Sequence, residues 1–267
     1  MAEYVLGTHD AELERLGFQA RLWADAGHAA WKRARVVRGQ RVLDLGCGPG
    51  FASADLAVLV GGEGRVVGID ESAGFVEAAN DRGIPNLRAL VGDVQAASDF
   101  LTGESPFDLA YARWLLCFVP RPEAVVAQAA RLLRPGGRLV VHDYFNYTAM
   151  TSAPPREVWT EVVLATARSW KARGGDPDVC GRLPAMLSRQ GFEVEHVDVH
   201  QRFGFPGDTM FQWASTWWRN YAPRLAEMGE ITPSTRDQFL DALAEIEVSS
   251  DQFIVMPPVW EFIARKR

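Results

Sequence analysis

Apolar residues follow two rhythms along the chain. Between 41 and 145, short apolar runs alternate with amphipathic stretches. RVLDL (Arg41–Leu45), RVVGID (65–70), LRALVGD (87–93), FDLAYAR (107–113) and RLVVHDYF (138–145) predict strands. FASADLAVLV, residues 72–82, a weaker stretch at 95–106 and residues 121–134 predict helices between them. Gly61-Gly62, Gly83 and Pro135-Gly136-Gly137 supply stop signals. Strands apolar on both faces and joined by helices imply a parallel sheet covered on both sides. Outside this region the pattern predicts helix over 1–38, 154–173, 182–190 and 208–247, with strands at 191–199 and 257–266. The chain therefore reads as one domain over 1–267. It has a helical cap (1–40), a core (41–145), two helical insertions (146–190 and 203–256) and a last strand near 259–265.

Ligands of such sheets bind beyond the C-terminal ends of the strands. The first strand runs into Gly46-Cys47-Gly48-Pro49-Gly50, a loop whose backbone can approach a ligand closely. Phe51 stands where the dinucleotide fingerprint needs glycine, and Phe51-Ala52 where a phosphate loop needs Lys and Ser/Thr. Asp44, at the mouth of the loop, would repel a pyrophosphate and suits an ammonium or sulfonium group. Asp70 ends the second strand, twenty residues beyond Gly50, where an acid can accept from both hydroxyls of a ribose. Asp93 ends the third strand within reach of an adenine amino group, a position equally suited to a helix N-cap. An adenosine with a cationic tail and no phosphate satisfies all three acids, and S-adenosylmethionine is such a molecule.

VLDLGCGPG (42–50), VVGIDES (66–72), VGDV (91–94), FDLAYAR (107–113) and RLLRPGGRLVVHDY (131–144) resemble, in order and spacing, the successive motifs of class I S-adenosylmethionine-dependent methyltransferases. GFEVEHVDV and VWEFIARK are similar to the sixth and seventh strands of that fold. The leading YVLG and ERLGFQARLW look like the cofactor-covering helix of its bacterial small-molecule branch, related to the quinone-biosynthesis enzymes. The resemblance implies a Rossmann-like, doubly wound α/β fold. Its seven-stranded sheet would be mostly parallel with an antiparallel last strand, and helical insertions would form a lid. It assigns Asp44, Gly46, Cys47, Gly48 and Gly50 to the methionine end, and Asp70, with Glu71 beside it, to the ribose. Asp93 and Val94 would take the adenine, Ala112 and Arg113 the floor, and Tyr4 and Gln19 the cover.

Composition narrows the function further. Lys plus Arg is 28 and Asp plus Glu is 34, a net charge of −6 that argues against a broad grip on nucleic acid. The fourth strand ends in DLAYAR, without the [DNS]PP[YFW] pattern associated with methylating base or amide amino groups. Cys47, Cys117 and Cys180 show no metal or disulfide spacing, and no metal is expected. No apolar run reaches about 18 residues and the N-terminus lacks a leader pattern, so a cytoplasmic enzyme is expected.

Methyl transfer is an in-line displacement that needs a base only when the nucleophile carries a proton. The candidates after the fifth strand are His142, Asp143, Tyr144 and Tyr147. Alternation puts 142 and 144 on one face and 143 on the other. His196, Asp198 and His200 share one face of the sixth strand, where an exposed polar face is the plainer reading. His9 and His28 belong to the leading helical segment, with a surface role expected for His28. Six of the nine tryptophans lie after residue 145. Trp159, Trp213 and Trp217 are candidate acceptor contacts, with core packing or a dimer contact as the competing uses. The expected activity is O-, N- or C-methylation of a small secondary metabolite or quinone-like compound. A protein or RNA methyltransferase, a cyclase on the same cofactor fold and a non-catalytic binder are the rivals.

Overall fold

The computed structural model describes residues 10–104 and 106–267; Tyr4 and His9 lie outside them. In chain order the elements are α1 (Asp10–Leu22), α2 (Ala24–Arg33), β1 (Arg41–Leu45), α3 (Phe51–Val60), β2 (Arg65–Asp70), α4 (Ala73–Asn80) and β3 (Leu87–Val91). Then come α5 (Ala97–Phe100), β4 (Phe107–Arg113), α6 (Pro122–Leu132), β5 (Leu133–Tyr144), β6 (Thr151–Ala153), α7 (Glu157–Ala172) and α8 (Leu183–Arg189). The chain ends with β7 (Phe192–His200), β8 (Phe203–Gly204), α9 (Thr209–Glu227), α10 (Pro233–Glu247), β9 (Phe253–Val255) and β10 (Val259–Lys266). Seven strands form the main sheet in the order β3-β2-β1-β4-β5-β10-β7. β10 slots between β5 and β7, antiparallel to both, and the β3-to-β5 pairings are parallel. This is the doubly wound sheet that the strand pattern implies.

The apolar strands are apolar because both of their faces are covered. Val42, on one face of β1, packs with Trp31 of α2 and Leu56 and Val60 of α3. Leu43 and Leu45, on the other, join Val125, Val126 and Ala129 of α6. Burial of side chains of this size stabilises the sheet by roughly 1.5–3 kcal/mol each. Among the described residues no helix is long and apolar enough to cross a membrane.

Three differences from the sequence pattern have physical causes. The leading helix breaks at Trp23, which is 2% exposed and packs edge-on against Trp114 and Trp213 with ring centroids 5.3 and 6.3 Å away. The aromatic helix of 208–247 is two helices: α10 restarts at Pro233, where the Thr232 hydroxyl accepts from the Thr235 amide at 3.0 Å. A second, three-stranded sheet (β6-β9-β8) lies in segments that read as helical insertions. Its strands of two or three residues are too short to carry a period.

Trp159 is not an acceptor contact. It is fully buried in α7, with ring centroids 6.0 Å from Trp218 of α9 and 4.9 Å from Phe239 of α10. It is the pin of the helical layer. Trp159→Ala should cost about 3–5 kcal/mol of stability in urea unfolding. Binding of a ligand to the molecules that remain folded should be unchanged; a selective loss of ligand affinity at unchanged stability would contradict the core role.

Candidate active site

The site begins where β1 ends. Gly46 sits at φ +67°, and a Cβ there would come within 2.7 Å of the Leu115 side chain. Its amide and that of Cys47 both donate to the Ile69 carbonyl, at 2.8 and 3.1 Å, which folds the loop back onto β2. The Gly48 amide then donates to Asp70 Oδ2 at 2.8 Å, while the Ser72 amide donates to Oδ1 at 3.0 Å. One carboxylate thus ties the β1–α3 loop to the β2–α4 turn. A Cβ on Gly48 would meet nothing within 4 Å, so the loop is open on that side.

Asp44 is buried and accepts from Ser53 Oγ at 2.5 Å. Burial lifts its pKa to about 6, against the pull of Ser53 and the positive charge of Arg113. Burial also raises Asp70, opposed by its two amide bonds. Glu71 is raised by burial and by the neighbouring Asp70 and Asp93 charges. Asp93 has the position of a cap and faces the cavity as well. It caps the short helical turn at Val94–Ala96, accepting from the Gln95 amide at 2.8 Å, and it lines the same cavity as the other acids.

These groups open onto one cavity of about 860 Å³. Its acidic half holds Asp44, Gly46, Cys47, Gly48, Asp70, Glu71, Asp93 and Val94. Its other half is aromatic: Trp114, Phe118, Tyr144, Tyr147, Trp170, Trp213 and Trp217. Arg113 lies at the boundary, with its guanidinium 5.1 Å from the centre of the Trp114 ring. Gln19 of α1 covers the cavity and accepts from Arg15 Nη1 at 3.0 Å and Trp213 Nε1 at 3.3 Å, joining α1 to α9. Gly50 caps α3 and Ala112 is buried within β4; neither is on the wall.

Two catalytic candidates are displaced from the cavity. His142 lies two residues deeper than Tyr144, its ring between the Tyr111 hydroxyl (3.2 Å) and Glu261 (3.2 Å). Burial lowers its pKa, while Glu261 raises it. Asp143 faces the other side and is fully buried. It accepts from the Leu115 and Cys117 amides at 3.1 and 3.2 Å and from the Tyr144 amide at 2.9 Å. Its role is to anchor the turn that carries Trp114, Leu115 and Phe118 onto the wall, and burial lifts its pKa to about 6. Tyr147 does line the cavity, and burial drives its hydroxyl pKa well up, so it stays protonated. His28 faces Asp55 at 3.4 Å on the surface, as a helix-face residue should.

Sequence reasoning passed over Trp114 as a wall residue. It is a non-glycine residue at φ +48°, held by its amide donating to the His142 carbonyl at 2.8 Å. A strained conformation just past a strand end is a feature of functional sites, and no sequence motif announces it. Arg15, Met150 and Arg173 also line the cavity without a motif.

Residues 37–179 match the family model described as a methyltransferase domain. The chain belongs to this methyltransferase family. Its sequence is 38% identical over 123 residues to 2-phytyl-1,4-naphtoquinone methyltransferase of Synechococcus elongatus, a stretch covering 43% of this chain and 53% of that protein. It is 34% identical over 145 residues to trans-aconitate 2-methyltransferase of Methylobacterium radiotolerans, covering 54% and 51%. The chain thus spans about half the length of these curated relatives. A structure of geranyl diphosphate C-methyltransferase from Streptomyces coelicolor, in complex with S-adenosyl-L-homocysteine, superposes with a TM-score of 0.55. The identity is 12%, over 92% of this chain and 77% of that one. That likeness shows the fold. The methyltransferase cofactor is S-adenosylmethionine, and the residues fit it: a buried acid for a cation, an acid at the end of β2 with spare lone pairs, and an open loop.

Asp44 should make cofactor binding pH-dependent. Its free carboxyl titrates near 6, and a neighbouring cation favours the charged form. Below that pH, binding must first expel a proton, so affinity should fall about tenfold per pH unit as pH drops. Above it, affinity should be flat. Calorimetric titration with S-adenosylmethionine between pH 5 and 8 measures this, and Asp44→Asn should weaken binding and flatten the acid limb.

Proposed function

We propose that this protein transfers the methyl group of S-adenosylmethionine to a small, flat, oxygen-rich acceptor held in the aromatic half of the cavity. The observation that carries the reading is the joining of two chemistries in one cavity, three carboxylates at strand ends facing a wall of aromatic rings. Asp44 holds the cofactor's ammonium end, Asp70 its ribose hydroxyls, and Asp93 with the Val94 backbone its adenine. Bound there, S-adenosylmethionine supplies an already activated methyl on a sulfonium. Trp213 and Trp217 of α9 face the acceptor, and Tyr147 donates its hydroxyl to it.

The cavity walls favour an acceptor that arrives with its own nucleophile. No histidine lines the cavity among the described residues, and burial keeps the Tyr144 and Tyr147 hydroxyls protonated. Neither tyrosine can take a proton at neutral pH. A phenolate, an enolate or a carboxylate needs no such base. Arg173 is exposed and lines the cavity; its guanidinium donates to the Met228 sulfur and makes no ion pair with a described acid, so its charge can draw in an anion. Of the molecules in the relatives' names, aconitate is a carboxylate of this kind, while the naphthoquinone shares the flat, oxygen-bearing ring.

The test uses methyl-labelled S-adenosylmethionine with a panel of quinols, phenols and carboxylic acids. Label should pass to an acceptor, with a product heavier by one methylene unit. Binding of S-adenosylhomocysteine without any labelled product, across the panel and a cell extract, would remove methyl transfer. A product of unchanged mass would point to cyclisation instead. Asp70→Ala should weaken cofactor binding by at least about tenfold, the loss expected when a charge-assisted pair of hydrogen bonds is removed. Arg173→Gln should raise the KM for an anionic acceptor several-fold while leaving cofactor affinity alone.

A further inference from the structure

On the sheet face away from Asp143, three of the chain's five histidines gather around one buried glutamate. Glu261, the third residue of β10, is flanked in register by His142 on β5 and Asp198 on β7. His142 Nε2 and His200 Nε2 lie 3.2 and 3.0 Å from the same oxygen, Glu261 Oε2, and the three donor atoms are all within 4.8 Å of one another. Donors around a tetrahedral ion with metal–nitrogen bonds of about 2.0–2.1 Å stand about 3.3 Å apart, which the two imidazole-to-carboxylate separations match, while His196 would have to move in from outside this group of three.

Two further observations point to a ligand. His196 Nε2 is buried with no hydrogen-bond partner, 3.8 Å from Glu261 Oε1. His142 Nδ1 meets the Tyr111 hydroxyl at 3.2 Å, the outer partner that fixes a ligating imidazole. We propose that His142, His196, His200 and Glu261 form a binding site for a zinc-type divalent transition metal, a structural clip across β5, β10 and β7. Imidazole nitrogens with one carboxylate select such ions over magnesium or calcium, which prefer all-oxygen shells. Arg33 of α2 bonds both Glu261 oxygens, at 3.1 and 3.2 Å, and lies 3.6 Å from Asp198, which offsets its charge. A surface cavity of about 590 Å³, lined by His196, Glu193 and Glu195 together with Arg33 and Arg35, opens beside the cluster at His196. The site lies outside the methyl-transfer cavity and adjoins it through Tyr111, whose hydroxyl meets His142, and through the Trp114 amide, which donates to the His142 carbonyl.

The experiment uses the full chain without a histidine tag, stripped with a chelator. Titration with Co(II) should give one bound ion per chain with the intense visible absorption of tetrahedral cobalt, displaced by zinc. Zinc should also raise the melting temperature until the site is saturated. His200→Gln and His196→Gln sit on the partly exposed edge strand, so both variants should fold, with S-adenosylhomocysteine binding as the check. Each should lose metal affinity by about a hundredfold or more, beyond the effect of an outer partner. Absence of saturable binding to the wild-type chain, or wild-type affinity in either folded variant, would overturn the site. Neither result bears on methyl transfer, which the labelled-cofactor assay reads separately.

Discussion

The site depends on a carboxylate that is left partly unsatisfied. Asp70 is tied to the Gly48 and Ser72 amides, and those two bonds set the loop after β1 against the turn after β2. Two charge-assisted bonds do not offset the cost of removing the carboxylate from water, so its pKa remains raised. A carboxylate has about four lone-pair positions, and the amides use two. The positions left over are open to a ligand's donors, and in the proposed reading a ribose diol would complete them. The same bonds that fix the loop therefore leave a demand that the ligand meets. Asp44 repeats the pattern one strand over: among the described residues Ser53 is its one hydrogen-bond donor, and its raised pKa leaves it able to gain from a nearby cation.

A second buried acid links the sheet to the cover. Asp143 points away from the cavity, yet its bonds to Leu115 and Cys117 hold the turn in which Trp114 adopts φ +48°. Trp114 in turn packs edge-on against Trp23 at the α1–α2 break and stacks with Tyr144. Trp23 contacts Trp213 of α9. One chain of rings thus runs from the end of β4 to the cover, and it forms the aromatic wall on the way. This explains why the tryptophans divide in role. Trp159 and Trp218, between α7, α9 and α10, serve the core, whereas Trp213 and Trp217, on the same α9, face the cavity.

Where the sequence is legible, a local rule governs. The Gly46–Gly50 loop, Asp44, Asp70, Glu71, Asp93 and Val94 are consecutive with strand ends, and a strand end in a parallel sheet has only one place to be. All of them except Gly50 reach the cavity. Where it is illegible, distant segments decide. Alternation along β5 leaves open whether 142 and 144 or 143 and 145 face the pocket, and Glu261, 119 positions from His142, claims the His142 ring. Trp159 and Trp213 share an aromatic character, and only the packing of three helices separates core from wall. The small sheet of β6, β8 and β9 is held by partners about fifty to a hundred residues apart, which no window along the chain can show.

Burial that builds the aromatic wall also limits its chemistry. Enclosing Tyr144 and Tyr147 removes them as bases, because the phenolate form loses more hydration than any nearby group returns. The same low-dielectric surroundings strengthen the pull of Arg113 on Asp44 and of any cation bound beside it. A nucleophile bound against these buried rings would shed part of its hydration shell. An acceptor that is neutral and weakly acidic would then have no group to take its proton. One that enters as an anion needs none, and its desolvation makes it more reactive toward a cationic carbon. In the proposed reaction the wall would therefore favour acceptors by the charge they bring, with the tryptophans of α9 positioned to select shape.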